Sequence, residues 1–414
     1  MKKNIFIITI SFFSIFFVLL GINFSIAYFS SIEKTNNIPK KIRNLEFYDV
    51  SHNQITTEWK KKKNLKYYIR LEDADRNLVK KFRTQRRKIT FTGLQPNSKY
   101  YLKIRAKNLK NNQRGKWSIA KNFSTLEEPP AETKVIFGGD VMLSRYVDRA
   151  TAATGDMAAP FRNVADEFEQ NDLAFINLEA PFAASPPYGA PDNGMVFRVN
   201  PSMIDGLKLA DINIASLSNN HIANAGQSGI DYTKEHLTNN GIGYCLESPD
   251  ILSRNDIDFA FLCYSYDRNL DTNKLINDIQ SVKDQGAEVI IVSMHNGAEY
   301  TENISASQSG FAHTAIDHGA DLVIGHHPHV VQRMEEYNGR YIFYSLGNLV
   351  FDQNWSWETQ LGAVVKTTWQ EDELKKIELK PVKIDKNYQP RFMDFEEGKE
   401  VLGRLQYPNY EIIK

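Results

Sequence analysis

Gly325-His326-His327-Pro328-His329 sets three of the chain's nine histidines within four positions. It follows the apolar run Leu322-Val323-Ile324, which reads as a buried strand of a parallel sheet. Residues at the carboxyl end of such a strand face the crevice where open α/β sheets bind ligands. Imidazole is also the commonest protein ligand for borderline metals. A solvated turn stiffened by Pro328 would read the same in isolation. What separates the two readings is whether other strands supply partners.

Four more apolar runs end the same way. Residues 134–137 lead through Gly138-Gly139 to Asp140, and residues 172–178 lead to Glu179. Residues 212–217 lead to Ser218-Asn219-Asn220-His221, and residues 288–294 lead to His295. Helix-like segments at 202–209, 229–239, 274–285 and 307–318 alternate with these runs. The alternation predicts an α/β domain with a largely buried sheet. All five endings are expected on one rim of that sheet. Mixed oxygen and nitrogen donors suit manganese, iron or zinc better than calcium or magnesium. The competing reading is a set of caps and turn residues. His236, His313 and His318 fall in helix-like segments and read as packing or surface residues, and His52 lies in a separate β-rich region.

The segments Gly139-Asp140-Val141-Met142-Leu143, Asn177-Leu178-Glu179-Ala180-Pro181, Asn219-Asn220-His221, His295-Asn296-Gly297-Ala298-Glu299-Tyr300, Gly325 to Val330 and Tyr344 to Gln353 together resemble the CapA family. These are bacterial capsule-synthesis proteins associated with poly-γ-glutamate. The family is similar in turn to the calcineurin-like metallophosphoesterases. The resemblance implies a four-layer α/β/β/α sandwich and a two-metal site. It implies Glu179, Asn220, His295 and His327 around a first metal, and Asp140, Glu179 and His329 around a second. The phosphoesterase pattern offers Asp-x-His on its first strand. Here Asp140-Val141-Met142 offers a thioether, a weak ligand in an oxygen-rich site, so the second position is depleted. His221 resembles the residue that protonates a leaving group. The family's usual Asp three residues later is Asn224 here.

Arg145 and Arg198 are candidate contacts for an anionic substrate, since a guanidinium pairs bidentately with phosphate or carboxylate. A surface role is the alternative. The loop 345–352 carries Asn348, expected at the site rim, with Trp355 and Trp357 as aromatic walls. Residues 362–384 read as a hairpin at the far edge of a second sheet. The last residues carry no motif beyond a short helix ending near 402–405.

The N-terminal third reads differently. Met1-Lys2-Lys3 precedes an uncharged apolar run over residues 5–32, longer than the roughly 20 residues that span a bilayer. This predicts an uncleaved transmembrane anchor, with the two lysines inside and everything after it outside. A signal peptide cleaved near Ser25-Ile26-Ala27 is the alternative. Residues 33–40 form a linker. Residues 41–126 show short strands and turns, the pattern of an all-β sandwich. Leu94-Gln95-Pro96-Asn97-Ser98-Lys99-Tyr100, the core candidate Trp59 and the closing Phe123-Ser124-Thr125 resemble a fibronectin type III module. Between Pro39 and Thr125 stand 24 Lys and Arg against 6 Asp and Glu, although the whole chain has zero net charge. Lys60-Lys61-Lys62-Lys63 and Arg86-Arg87-Lys88 are either a solvated face or a contact for an anionic partner such as capsule or wall polymer or lipid headgroups. Nucleic acid does not fit an exported domain. Glu127-Glu128-Pro129-Pro130 marks a linker over 127–133, after which a metallophosphoesterase-related domain runs over 134–384 and an extension over 385–414. Cys245 and Cys263 sit in apolar runs and read by default as buried free thiols, although an oxidising exterior would permit a bridge between them.

The expected architecture is therefore multidomain: an anchor, a fibronectin-like sandwich and an α/β domain. The expected function is a membrane-anchored extracellular CapA-like protein in the synthesis, export or attachment of an anionic capsule polymer, alongside other capsule-synthesis membrane proteins. A metal-dependent surface phosphoesterase and a non-catalytic polymer-binding scaffold are the alternatives.

Overall fold

The structure is a computed structural model that describes residues 38–189, 194–406 and 411–413. The expected anchor lies outside these residues. Among the described residues, no helix is long and apolar enough to cross a membrane. The chain divides into two compact units at Pro129/Pro130.

Among the described residues, the first unit holds seven strands: β1 (Leu45–Tyr48), β2 (Gln54–Trp59), β3 (Leu65–Glu72), β4 (Leu78–Thr84), β5 (Lys88–Thr92), β6 (Lys99–Asn108) and β7 (Lys121–Ser124). They pair into two sheets, β1-β2-β5 and β4-β3-β6-β7. Alternation decides which side faces in: on β6, Tyr100, Leu102, Ile104 and Ala106 are buried and their neighbours are not. Trp59 is buried edge-on to Tyr67, ring centroids 5.3 Å apart. The Tyr100 hydroxyl accepts the Gln95 N–H at 2.9 Å, the corner expected from the sequence.

The second unit contains two sheets. The first is built on β8 (Glu132–Val141), β9 (Leu173–Leu178), β10 (Ile214–Ser216), β11 (Gly243–Cys245), β18 (Asn348–Val350), β19 (Leu361–Gln370), β20 (Glu373–Ile384), β21 (Pro390–Phe392) and β22 (Glu411–Ile413). Its order is β11-β10-β9-β8-β19-β20-β21, with β18 also on β8 and β22 on β20. The second sheet has the order β12 (Asp250–Arg254), β13 (Ile257–Ser265), β14 (Val289–His295), β15 (Leu322–His326), β17 (Arg340–Phe343), β16 (Met334–Tyr337).

Each inner strand is apolar on both faces, so each sheet is covered twice. Phe137 and Phe175 of the first sheet and Phe261, Ile291 and Ile324 of the second fill one shared layer. Phe175 stacks on Phe261 across it at 5.6 Å, a contact worth about 1 kcal/mol beyond its buried area. Ile136, Ala174 and Ile176 face the other way, toward Leu207, Ile230 and Leu237. Those three sit on α3 (Ile204–Leu209) and α4 (Gly226–Asn239), which follow α1 (Arg145–Thr154) and α2 (Ala165–Glu169). The second sheet is covered by α5 (Thr272–Asp284) and α6 (Ala306–Asp317), through Leu275, Ile279, Phe311 and Ala315. A capping box of Ser305 and Gln308 starts α6. The layers run α/β/β/α. A short helix, α7 (Phe395–Arg404), adds Val401 and Leu402 to the layer between the sheets.

Three expectations are corrected. The hairpin β19–β20 is not at a far edge; β19 pairs with β8, Val365 opposite Phe137, in the middle of the first sheet. Its near-continuous burial is what a central strand requires. The five strand ends belong to two sheets, with β8, β9 and β10 in one and β14 and β15 in the other. Cys245 and Cys263 are not free: they form a disulfide, Cα atoms 5.5 Å apart, between β11 and β13. Both face the shared apolar layer, a proximity across two sheets that sequence spacing does not carry.

Candidate metal centre

The site lies where the rims of the two sheets meet. β8 pairs regularly with β9 up to Phe137, and the register then shifts before Asp140. Such an irregularity re-aims the following side chain. Gly139 permits it, because a Cβ there would stand 2.1 Å from the Gly347 carbonyl oxygen. Asp140 is fully buried. Its Oδ1 accepts from Asn177 Nδ2 at 2.8 Å and lies 3.4 Å from His326 Nδ1. Its Oδ2 lies 3.2 Å from His329 Nδ1 and accepts the His327 N–H at 3.3 Å. Burial pushes the Asp140 carboxyl up, but His326 and His329 together outweigh it and hold it well below the usual range.

Glu179 follows β9 and is also fully buried. Neither carboxylate oxygen has a hydrogen-bond partner. Oε1 lies 3.5 Å from His329 Nε2 and 4.0 Å from His295 Nε2. Burial, reinforced by the charge of Asp140, drives its carboxyl well above the usual range. His295 Nε2 faces Asn220 Oδ1 at 2.8 Å. Burial, then the neighbouring His327, pulls the His295 imidazole well down. Burial and His329 pull His327 down to about 4. Both rings are therefore neutral at physiological pH, the form that ligates metals.

Donor atoms of Asp140, Glu179 and His329 all lie within 4.8 Å of one another, and so do those of Glu299, His327 and His329. The first group is the implied second-metal set. Of the implied first-metal set, Glu179, Asn220 and His295 are brought together, and the His327 ring lies 4.7 Å from that of His295. A buried carboxylate with no hydrogen-bond partner, with the imidazoles of His329 and His295 beside it, fits a divalent cation. Manganese, iron and zinc match the mixed donors. Met142 offers nothing here: its side chain packs in the outer apolar layer, and its sulfur accepts the Ser144 N–H at 3.1 Å.

The backbone is held in costly conformations at this point. His327 and His329 take positive φ, 97° and 57°, on either side of Pro328. Arg145 and Tyr300 do likewise, at 51° and 61°. Non-glycine residues pay for such angles, and they concentrate at functional sites.

The remaining candidates separate. His221 Nδ1 lies 3.0 Å from Asn224 Oδ1, and that oxygen also accepts the Phe197 N–H at 2.8 Å. The second bond fixes the amide, so His221 donates from Nδ1 and keeps Nε2 unprotonated. Burial lowers its imidazole. Arg145 is buried rather than on the surface, forked onto Asp352, with Nε 3.1 Å from Oδ2. Arg198 donates to the Ser185 carbonyl at 3.1 Å and makes no bond to the cluster. Asn348 is fully buried behind His329. It donates to Gln353 Oε1 at 3.0 Å and the Thr359 carbonyl at 2.9 Å, so its oxygen accepts from His329 Nδ1 at 3.0 Å and leaves Nε2 toward Glu179. It orients the His329 ring, a candidate ligand, and does not line the rim. Trp355 meets Tyr300 edge-on at 5.8 Å, whereas Trp357 turns to Glu400, 2.7 Å from its indole nitrogen. Sequence reasoning passed over Asn177, Glu299 and Asp352. All three lie inside quoted motifs, next to or near residues that were singled out.

A two-sheet α/β unit with a carboxylate–imidazole centre, in a chain that also carries a seven-strand β-sandwich, defines a class of multidomain candidate metalloprotein. Residues 134–353, more than half of the chain, match the family described as Bacterial capsule synthesis protein PGA_cap, and residues 40–121 match the Fibronectin type III domain. The chain belongs to the PGA_cap family. It is 29% identical over 271 residues to the PGA biosynthesis protein CapA of Bacillus subtilis, covering 60% of this chain and 70% of that one. It is 26% identical to the capsule biosynthesis protein CapA of Bacillus anthracis, covering 53% of this chain and 59% of that one. A probable polyglutamine synthesis accessory protein of Mycobacterium tuberculosis is 23% identical, over 54% of this chain and 75% of that one.

Proposed function

We propose that this protein is a membrane-anchored, outward-facing member of the family that acts on an anionic capsule polymer of the poly-γ-glutamate type, in its synthesis, export or attachment. The observation that carries the metal-bearing part of this reading is Glu179, a buried carboxylate without a partner at the junction of two sheets. Glu179, Asn220, His295 and His327 would hold one divalent cation, and Asp140, Glu179 and His329 a second. Such a cation polarises a phosphoryl or carbonyl oxygen when bound. Asn348 and Asn224 fix the tautomers of His329 and His221. His221 Nε2 is left free to take or return a proton. The anchor expected over residues 5–32 would tether the chain, and the basic β-unit would contact the polymer. Other capsule-synthesis membrane proteins are the natural partners.

The oriented His221 favours a second reading, a metal-dependent surface phosphoesterase. One experiment addresses both. The purified full chain is loaded with manganese or zinc, its metal content is measured, and it is assayed on bis(p-nitrophenyl) phosphate. Bound metal with turnover lost in His295→Ala supports hydrolysis. Bound metal without turnover points to a non-catalytic polymer-binding role. A chain that retains no metal sinks every metal-dependent reading.

A further inference from the structure

The outward face of the sheet β4-β3-β6-β7 carries cations in register. Arg70 stands directly opposite Lys81 on one side and Lys103 on the other. One step along the strand, Tyr68 stands between Arg83 and Arg105 in the same way. Another step along, Lys66 faces Lys107, which bridges to Arg114. These residues point away from the core, because Tyr67, Ile69 and Leu71 on β3 and Leu102, Ile104 and Ala106 on β6 are the buried ones.

Like charges placed directly opposite across antiparallel strands destabilise a sheet. This face has four such pairs: Arg70–Lys81, Arg70–Lys103, Lys66–Lys107 and Lys107–Arg114. Glu72 relieves one end, 2.9 Å from Lys103 and 4.0 Å from Arg76. Among the described residues, no carboxylate pairs with Lys66, Arg70, Lys81, Arg83, Arg105 or Lys107. Aromatic rings hold the guanidinium groups apart instead. Trp117 lies under Arg105 at 4.4 Å and Arg70 at 5.7 Å, and Tyr68 under Arg83 at 5.6 Å and Arg105 at 5.8 Å. A guanidinium spread on a ring keeps its N–H fork available for a carboxylate. Cations then repeat about every 4.8 Å across the strands and about 6.8 Å along them. A single small anion cannot neutralise such a grid, whereas a chain of regularly spaced anions can.

We propose that this sheet face is a docking surface for a linear carboxylate polyanion. The proposal rests on the capsule-polymer reading above and locates its contact. It differs from the Lys60–Lys63 and Arg86–Lys88 runs that stand out in the sequence.

The test titrates the full chain with poly-γ-glutamate by calorimetry at low ionic strength. Lys81 and Arg83 are exposed on a strand at the sheet's edge, so the double variant K81E/R83E leaves the core untouched. It should bind about tenfold more weakly, and K208E/K386E in the other unit, with the same change in net charge, should lose about twofold or less. K81E alone should raise the melting temperature of this unit, since it turns a repelling pair with Arg70 into an attracting one. Unchanged binding by K81E/R83E, or a larger loss in K61E/K62E, overturns the proposal and leaves the polymer reading standing. Wild-type protein that ignores the polymer overturns both. Binding to phosphatidylglycerol vesicles instead of the polymer, lost in K81E/R83E, would make this face a membrane contact and also overturn the proposal.

Discussion

Glu179 illustrates what burial does to a charge. A carboxylate with no partner in the interior costs several kcal/mol, so it either keeps its proton or is neutralised by a cation. Glu179→Gln removes the charge and should abolish stoichiometric binding of manganese or zinc, read by elemental analysis. The same substitution should leave the metal-free protein at least as stable in a thermal melt, because nothing buried loses a partner. A variant that still binds a full complement of metal would refute the ligand role. The pH dependence follows with its sign. The raised Glu179 carboxyl means that the folded metal-free chain holds a proton that the unfolded chain releases near the ordinary value. Its contribution to stability is therefore present at low pH and is lost as pH rises through the raised value. A cation displaces that proton, so stabilisation by metal should grow as pH rises, as the gap between melting temperatures with and without metal. A gap that shrinks as pH rises would contradict the assignment. Residues at strand ends, such as Asp140, Glu179 and His295, were legible because an apolar run has a readable end. Glu299 was not, since it is exposed on a loop with no periodicity. Asn348 was assigned to the rim because loop sequence does not say which way a side chain turns.

At the scale of elements, β14 and β15 were legible as apolar runs and α6 as the helix-like segment between them. The placing of β19 beside β8 was not, because pairing partners far apart in sequence leave no local mark. Gly325 shows how tightly such elements meet: a Cβ there would lie 2.0 Å from the Tyr344 carbonyl oxygen. Gly325→Ala must therefore move backbone beside three histidines. It should cost about 3 kcal/mol or more, measured by denaturant unfolding. A loss under about 0.5 kcal/mol would mean that the strand approach is looser than described.

For the whole molecule, two compact units and a candidate metal centre in the second of them make melting informative. Chelator should lower only the transition of the unit that contains Glu179, by about 3 kcal/mol relative to metal present at a hundredfold excess over its dissociation constant. Calorimetry of the full chain checks this. Equal shifts in every transition would place the metal elsewhere. The division into a β-unit and an α/β unit was legible from composition, through the charge imbalance and the prolines at 129 and 130. The two-sheet build of the second unit came to the sequence reading only through family resemblance, since one run of strands can form one sheet or two.

The disulfide between β11 and β13 ties the first sheet to the second, and the candidate centre draws its donors from both. Forming the bond limits how far the two half-sets of donors can separate. A chain still in a reducing compartment lacks the clasp, so its two half-sets of donors are held at a fixed distance only by packing. Once the bond forms in an oxidising environment, the donors are set before any cation arrives.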